Sequence, residues 1–254
     1  MRTIDFSQIL FNSIQLSGND RHNIRPETFA QFRDFSSTRL REAWETFEWP
    51  DVCRTESFTS TVIPGDNGDI KYFTPIAEAD EILAVFDKNP LASTRVTQHM
   101  YTIYNDSSKK IVTGLQSGWY VYRIKCPELV GDIYDQTIQY SPGSQIYWDE
   151  GSESSTYEPV PGKPHKGNFY ECLYPALASE NPATHPVKWK KINIPYVFGS
   201  YMAWGSAANW QVSEGMVQEA AAIEIKAKES LENEYDKATR QQGQFNRLNT
   251  IKLY

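Results

Sequence analysis

The spacing of apolar side chains divides this chain into helical ends around a strand-rich middle. Phe6, Ile9, Leu10 and Ile14 recur at three- and four-residue steps, with Ser13 the one polar residue on that face; this predicts a first helix, broken over residues 17–23 by Gly18, Asn19 and Asp20. Pro26 suits the first turn of a second helix. Along it Phe29, Phe32, Leu40, Ala43, Trp44 and Phe47 lie near one face, whereas Arg33, Arg39, Arg41, Glu42 and Glu45 can face water or a neighbour. Pro50 lacks a donor and disfavours helical geometry at Trp49, so the helix is expected to stop there.

Over residues 51–127 the period changes to two. Residues 55–63 are rich in β-branched side chains, and the Asn67-Gly68 pair predicts a tight hairpin to residues 70–73. Residues 100–104 and 111–112 flank a second polar turn, and residues 119–124 alternate as a strand, giving an antiparallel β domain. Past Pro195 the helical period returns. Val197, Tyr201, Trp204 and Ala207 mark one helix, Ser213-Glu214-Gly215 a break, and Met216, Ala220, Ile223, Ala227, Leu231, Tyr235 and Ala238 a long helix to about Gln241.

These patterns predict an α+β protein. Residues 1–50 and 196–241 would form a helical bundle, 51–127 the central antiparallel β domain, 128–195 a small inserted β module, and 242–254 an extended C-terminal arm. The arm carries Phe245, Arg247, Leu248, Ile251, Lys252, Leu253 and Tyr254 without an acid, which reads as a segment that docks onto another subunit or partner; the alternative is packing along its own domain.

Charge sharpens this division. The chain has 254 residues and a formal net charge of −7, which argues against a basic nucleic-acid groove spread over the whole protein. Seven acids (Glu128, Asp132, Asp135, Asp149, Glu150, Glu153, Glu158) stand without a Lys or Arg over residues 126–162, and five lysines follow over residues 163–191. Pairing within the inserted module would account for both runs.

Familiar chemistry is not encoded in recognisable form. There is no phosphate-binding glycine loop, dinucleotide turn, nucleophile elbow or zinc-protease helix motif. The histidines, His22, His99, His165 and His185, stand singly, and the three cysteines, Cys53, Cys126 and Cys172, lie far apart, so no metal or other cofactor is expected and a reducing compartment is. Asp66-Asn67-Gly68-Asp69 lacks the distal ligands of a calcium loop and reads as a turn. Asp149 and Glu150 are adjacent, which on a strand sends their carboxylates to opposite faces, unlike a glycosidase pair. No catalytic residue is assigned, and neither a secretion signal nor a membrane span is expected.

Two resemblances add to this reading. Tyr134, Tyr140, Gly143, Ile146-Tyr147, Gly167-Asn168-Phe169-Tyr170, Pro182 and Trp189 follow an order similar to the small chitin-binding-type carbohydrate modules of the five/twelve class. That likeness implies glycan stacking by Tyr134, Tyr147, Trp148 and Trp189, although the same rings suffice to build a minimal core, and Trp189 is followed by Lys190 where the family often has a second aromatic. The chain order as a whole carries Arg39-Leu40-Arg41-Glu42-Ala43-Trp44-Glu45 and Trp49-Pro50, then a β domain, then Ile194-Pro195-Tyr196-Val197-Phe198 and Ala-rich helices with Gln241-Gln242-Gly243-Gln244. It resembles the head-to-tail adaptors and tail tubular proteins of tailed bacteriophages. The resemblance implies a non-enzymatic virion protein of the neck or tail, assembled in the host cytoplasm. Its partners would be its own copies in a ring, commonly twelvefold, the portal protein, tail or nozzle proteins, and double-stranded DNA passing through without a specific grip, with no membrane. An acid-lined wall would repel phosphate along such a conduit. The alternative function is a carbohydrate-binding virion or surface protein that uses residues 128–195.

Overall fold

A computed structural model describes residues 2–20, 24–64, 68–93, 95–105, 108–149 and 166–246, the last six of these as helical backbone alone. In chain order the elements are β1 (Thr3–Ile4), α1 (Phe6–Leu16), α2 (Pro26–Thr46), β2 (Cys53–Thr59), β3 (Thr61–Ile63), β4 (Ile70–Phe73), β5 (Ala79–Phe86), β6 (Gln98–His99), β7 (Tyr101–Asn105), β8 (Lys109–Thr113), β9 (Ser117–Ile124), β10 (Asp132–Ile133), β11 (Gln145–Asp149), β12 (Gly167–Cys172), β13 (Trp189–Lys191), β14 (Ile194–Pro195), α3 (Gly199–Ser213) and α4 (Val217–Asn246). The protein is thus a mixed α+β chain with several antiparallel sheets. It forms two compact units, one of Met1–Thr46 with Cys126–Tyr235, the other of Phe47–Lys125 with the end of α4.

In the first unit α1, α2 and α3 pack on one another, and the sheet β10-β11-β12-β13 lies against them. Phe6 and Phe29 from the helices meet Tyr147 and Phe169 from the sheet with ring centroids 4.7–6.5 Å apart. Pairing of β1 with β14 ties the chain start to the strand before α3. The segment read as an insertion therefore shares its core with the helices. One face of its central strands supplies Tyr147 and Phe169 to that core, while the other gathers Ile146, Cys172 and Trp189 around Tyr134, Tyr140 and Trp148. A small sheet that packs side chains on both faces draws aromatics to alternate and intervening positions alike, which accounts for the aromatic density of this stretch. β10 runs parallel to β11, a departure from the otherwise antiparallel pairing.

In the second unit two four-stranded sheets, β2-β9-β5-β6 and β3-β4-β8-β7, enclose Phe58, Phe73, Ile82, Val85, Ile111, Tyr120 and Tyr122. Only Ser60 separates β2 from β3 and only Met100 separates β6 from β7, so two bent strands carry the chain from one sheet into the other, as in barrel-like sandwiches. The hairpins expected around residues 64–69 and 105–109 form, with Ile63 opposite Ile70 and Asn105 opposite Lys109. Residues 65–67 lie outside the described residues. The sequence pattern did not reveal β5, because Glu-Ile-Leu-Ala-Val-Phe lacks a clean alternation; its Ile82 and Val85 both reach the core because the register slips between Ile82 and Ala84.

Two boundaries differ from expectation. α2 ends at Thr46, before the proline, and a turn follows in which Val52 and Cys53 donate to the Trp49 carbonyl. α4 continues to Asn246, so residues 242–246 of the expected arm are helical backbone even though Gly243, Phe245 and Asn246 are not strong helix formers. Phe245 lies on that stretch and its side chain is outside the described residues, as are Arg247, Leu248, Ile251, Lys252, Leu253 and Tyr254. Among the described residues, Asp132 and Glu128 bind Arg33 and Arg41 of α2 and Lys191 binds Asp5 at 2.8 Å, while Glu180–Lys188 (2.6 Å) pairs within the segment; Glu150, Glu153, Glu158 and Lys163 lie outside the described residues.

Candidate functional site

The densest polar constellation in the first unit is a clamp where α2, α3 and α4 converge. It centres on Arg39, which is only 8% exposed; of the two surroundings its spacing allowed, water or a neighbour, the fold supplies the neighbour. Its burial has a local reason: Phe32, Ser36, Arg39 and Ala43 follow one another at three- and four-residue steps on a single inward stripe. That stripe was the signal available in the sequence; what hid it was the low prior for a buried arginine.

Four of the guanidinium's hydrogen bonds run to three helices. Nη1 donates to Glu42 Oε2 (3.1 Å) and Glu224 Oε1 (3.0 Å); Nη2 donates to Glu224 Oε2 (2.7 Å) and Asn209 Oδ1 (2.7 Å). Tyr201 accepts a longer bond from Nη1 (3.4 Å) and donates to Glu42 Oε2 (2.8 Å). Burial works against the charge on Arg39, but the bonds it donates to Tyr201 and Glu224 and the charges of Glu224 and Glu42 outweigh it, so its pKa stands above the ordinary arginine value. Burial likewise pushes the Tyr201 hydroxyl up to about 12, with Glu42 adding to the rise and Arg39 opposing it. Gly205 lets the arginine lie flat on α3: a Cβ there would stand 2.7 Å from Arg39 Cδ and 2.8 Å from Nε. The neighbouring turns of the same helices are joined by Ser36 to Ser206 (3.0 Å) and by Phe32 stacked on Trp210 (5.0 Å between centroids, 10° between planes).

The clamp positions α4. This 30-residue helix buries Ala220, Ala227 and Leu231 and leaves most other described positions at least partly open to solvent. Val217 and Ile225 are 63% and 59% exposed, close in sequence to Met216 and to Val212 at the end of α3, which are exposed as well. Glu229, Glu232 and Asp236 continue the face of Ile225 at three- and four-residue steps.

The four rings expected to stack on glycan do not share one face. Tyr147 (4% exposed) points to the helices, whereas Tyr134, Trp148 and Trp189 (5% exposed) belong to the cluster on the opposite face of the sheet. The Trp189 indole N–H donates to the Glu180 carbonyl (3.1 Å), and Tyr134 stacks on Tyr140 (5.8 Å). Asp149 is held near the start of β12, where its Oδ1 accepts from the Lys166 amide. Among the described residues no group of three or more His, Cys, Asp or Glu side chains is arranged to hold a metal ion. Burial raises the pKa of Cys53 to about 11 and that of Cys172 above the ordinary thiol value, which disfavours the thiolate at both. No helix among the described residues is long and apolar enough to cross a membrane. No family model matches the chain, and comparison with curated proteins finds no match.

Proposed function

We propose that this protein is a non-enzymatic structural subunit of a tailed-bacteriophage virion, one that associates head to tail with its own copies into a ring between portal and tail. The observation that carries the reading is α4: a long helix clamped at its first half, with Val217 and Ile225 open to solvent on a helix that elsewhere displays charge. Val217, Ala221 and Ile225 follow at four-residue steps and are all exposed, so they form one short apolar ridge on α4 that a second copy can cover. A heterologous contact between two different faces of one chain closes into a ring on repetition. The order of elements resembling the phage adaptors supports the same assignment. In this reading the portal and the tail or nozzle proteins contact the ring from its two sides, and double-stranded DNA passes through without sequence-specific contacts. The protein then resides in the neck of the virion and assembles in the host cytoplasm.

Mass photometry of the purified protein at rising concentration, alone and with its portal protein, tests this. A discrete multi-subunit ring, free or portal-bound, is the expected result, with twelve copies the commonest arrangement for such adaptors. A protein that remains monomeric and leaves the portal unbound overturns the reading.

A further inference from the structure

We propose that α4 is a releasable helix, latched onto α2 and α3 by the Arg39–Glu224 pair and hinged at Gly215. The inference is independent of ring assembly, since it concerns the conformational equilibrium of a single chain. Its basis is that each partner of the latch has a second counter-ion on its own side. Arg39 would keep Glu42, three residues along the same helix, as well as Asn209 and Tyr201 from α3. Glu224 would keep Lys228, one turn further along α4 at 3.8 Å, and its side chain already stands 26% exposed. Breaking a buried ion pair is ordinarily costly because one charge is left buried without compensation. Here the arginine passes from two carboxylates to one, and the glutamate passes into water beside a lysine.

The apolar side of the contact is also light. Ala220 and Ala227 bury little area, and Leu231 is the one large aliphatic side chain that is fully buried on α4 among the described residues. Lys226 lies over the Trp204 ring of α3 at 5.2 Å, a contact made by a solvent-facing side chain. At the hinge, Gly215 has φ +81°, and the Gly215 and Met216 amides donate back to Val212 and Gln211. α3 therefore closes with its own C-terminal bonds and does not need α4 to continue it.

Hydrogen exchange at constant pH, read peptide by peptide in the full chain, tests the latch. In the wild type α4 should exchange through a local opening that leaves the protection of α1, α2 and α3 intact. Glu224→Gln should raise exchange across residues 217–235 at least tenfold. Glu42→Gln should do the reverse and lower it several-fold, because the open state then loses the only carboxylate left to Arg39 while the closed state keeps Glu224. A merely structural network predicts that both substitutions raise exchange. The proposal is overturned if they do, if Glu42→Gln leaves exchange unchanged, or if α4 in the wild type exchanges only together with α2 and α3. Should either variant fail to fold, the denaturant dependence of wild-type exchange decides alone: a smaller dependence for α4 than for α1–α3 supports the latch, and an equal one overturns it.

Discussion

Arg39 and Glu224 stand 185 residues apart in the chain and meet in a two-point bond, 3.0 and 2.7 Å, that joins the second helix to the last. A planar fork matched to a carboxylate sets the angle of α4 as well as its distance, which a lysine at the same place would not do. Arg39→Met should therefore lower stability by roughly 3 kcal/mol in urea unfolding, since it leaves Glu42 and Glu224 facing each other. Gly205→Ala should cost roughly 1–3 kcal/mol, because the new methyl meets an arginine stem that its own bonds hold in place.

The start of α1 offers a pH test. Burial alone would raise the Asp5 pKa, but hydrogen bonds from Lys191 (2.8 Å) and Asn168 (2.9 Å) and the charges of Lys191 and Lys166 outweigh it and hold the carboxyl below its ordinary value. A carboxylate depressed in the folded state stabilises the protein above its unfolded pKa, and that contribution is lost as pH falls through the folded one. Asp5→Asn should thus cost about 1 kcal/mol at pH 7. The gap between variant and wild type should narrow below about pH 4 and close at lower pH, as chemical unfolding curves across that range would record.

Trp189 should behave as a core residue. It is 5% exposed, lies edge-on to Tyr140 at 5.5 Å and bonds the Glu180 carbonyl. Trp189→Ala should destabilise the first unit by roughly 3–5 kcal/mol. Trp148→Ala, at a half-buried site, should cost less, and near-UV circular dichroism during urea unfolding distinguishes the two.

Thiol reactivity should be selective. With Cys53 pushed up to about 11, its thiolate fraction at pH 8 is about one part in a thousand, and Cys172 is both buried and raised. Iodoacetamide at pH 8 followed by peptide mass spectrometry should leave Cys53 and Cys172 largely unmodified in the folded protein and label both once urea unfolds it.

Ile225→Asp separates fold from assembly. The side chain is 59% exposed, so thermal unfolding should shift by no more than about 0.5 kcal/mol. If α4 is the ring contact, the same substitution should abolish self-association in mass photometry.

Much of the architecture was already present in local spacing. The stripe Phe6, Ile9, Leu10, Ile14 and the run Ala220 to Ala238 are helical because side chains three and four apart share a face whatever they pack against, and the two hairpins follow from turn residues between alternating runs. Tertiary structure decided the rest. Whether residues 128–195 stand apart or share a core depends on Phe6 and Phe29 meeting Tyr147 and Phe169, a contact between distant segments that no local period encodes. The aromatic rings that spacing alone allowed as a sugar platform are divided between two faces of one sheet, because strand alternation separates Tyr147 from Trp148. The spacing of Arg39 on its own helix left it free to face water or a neighbour. It is buried because Glu224 and Asn209 arrive from elsewhere in the chain to compensate it, and only the folded chain brings them there.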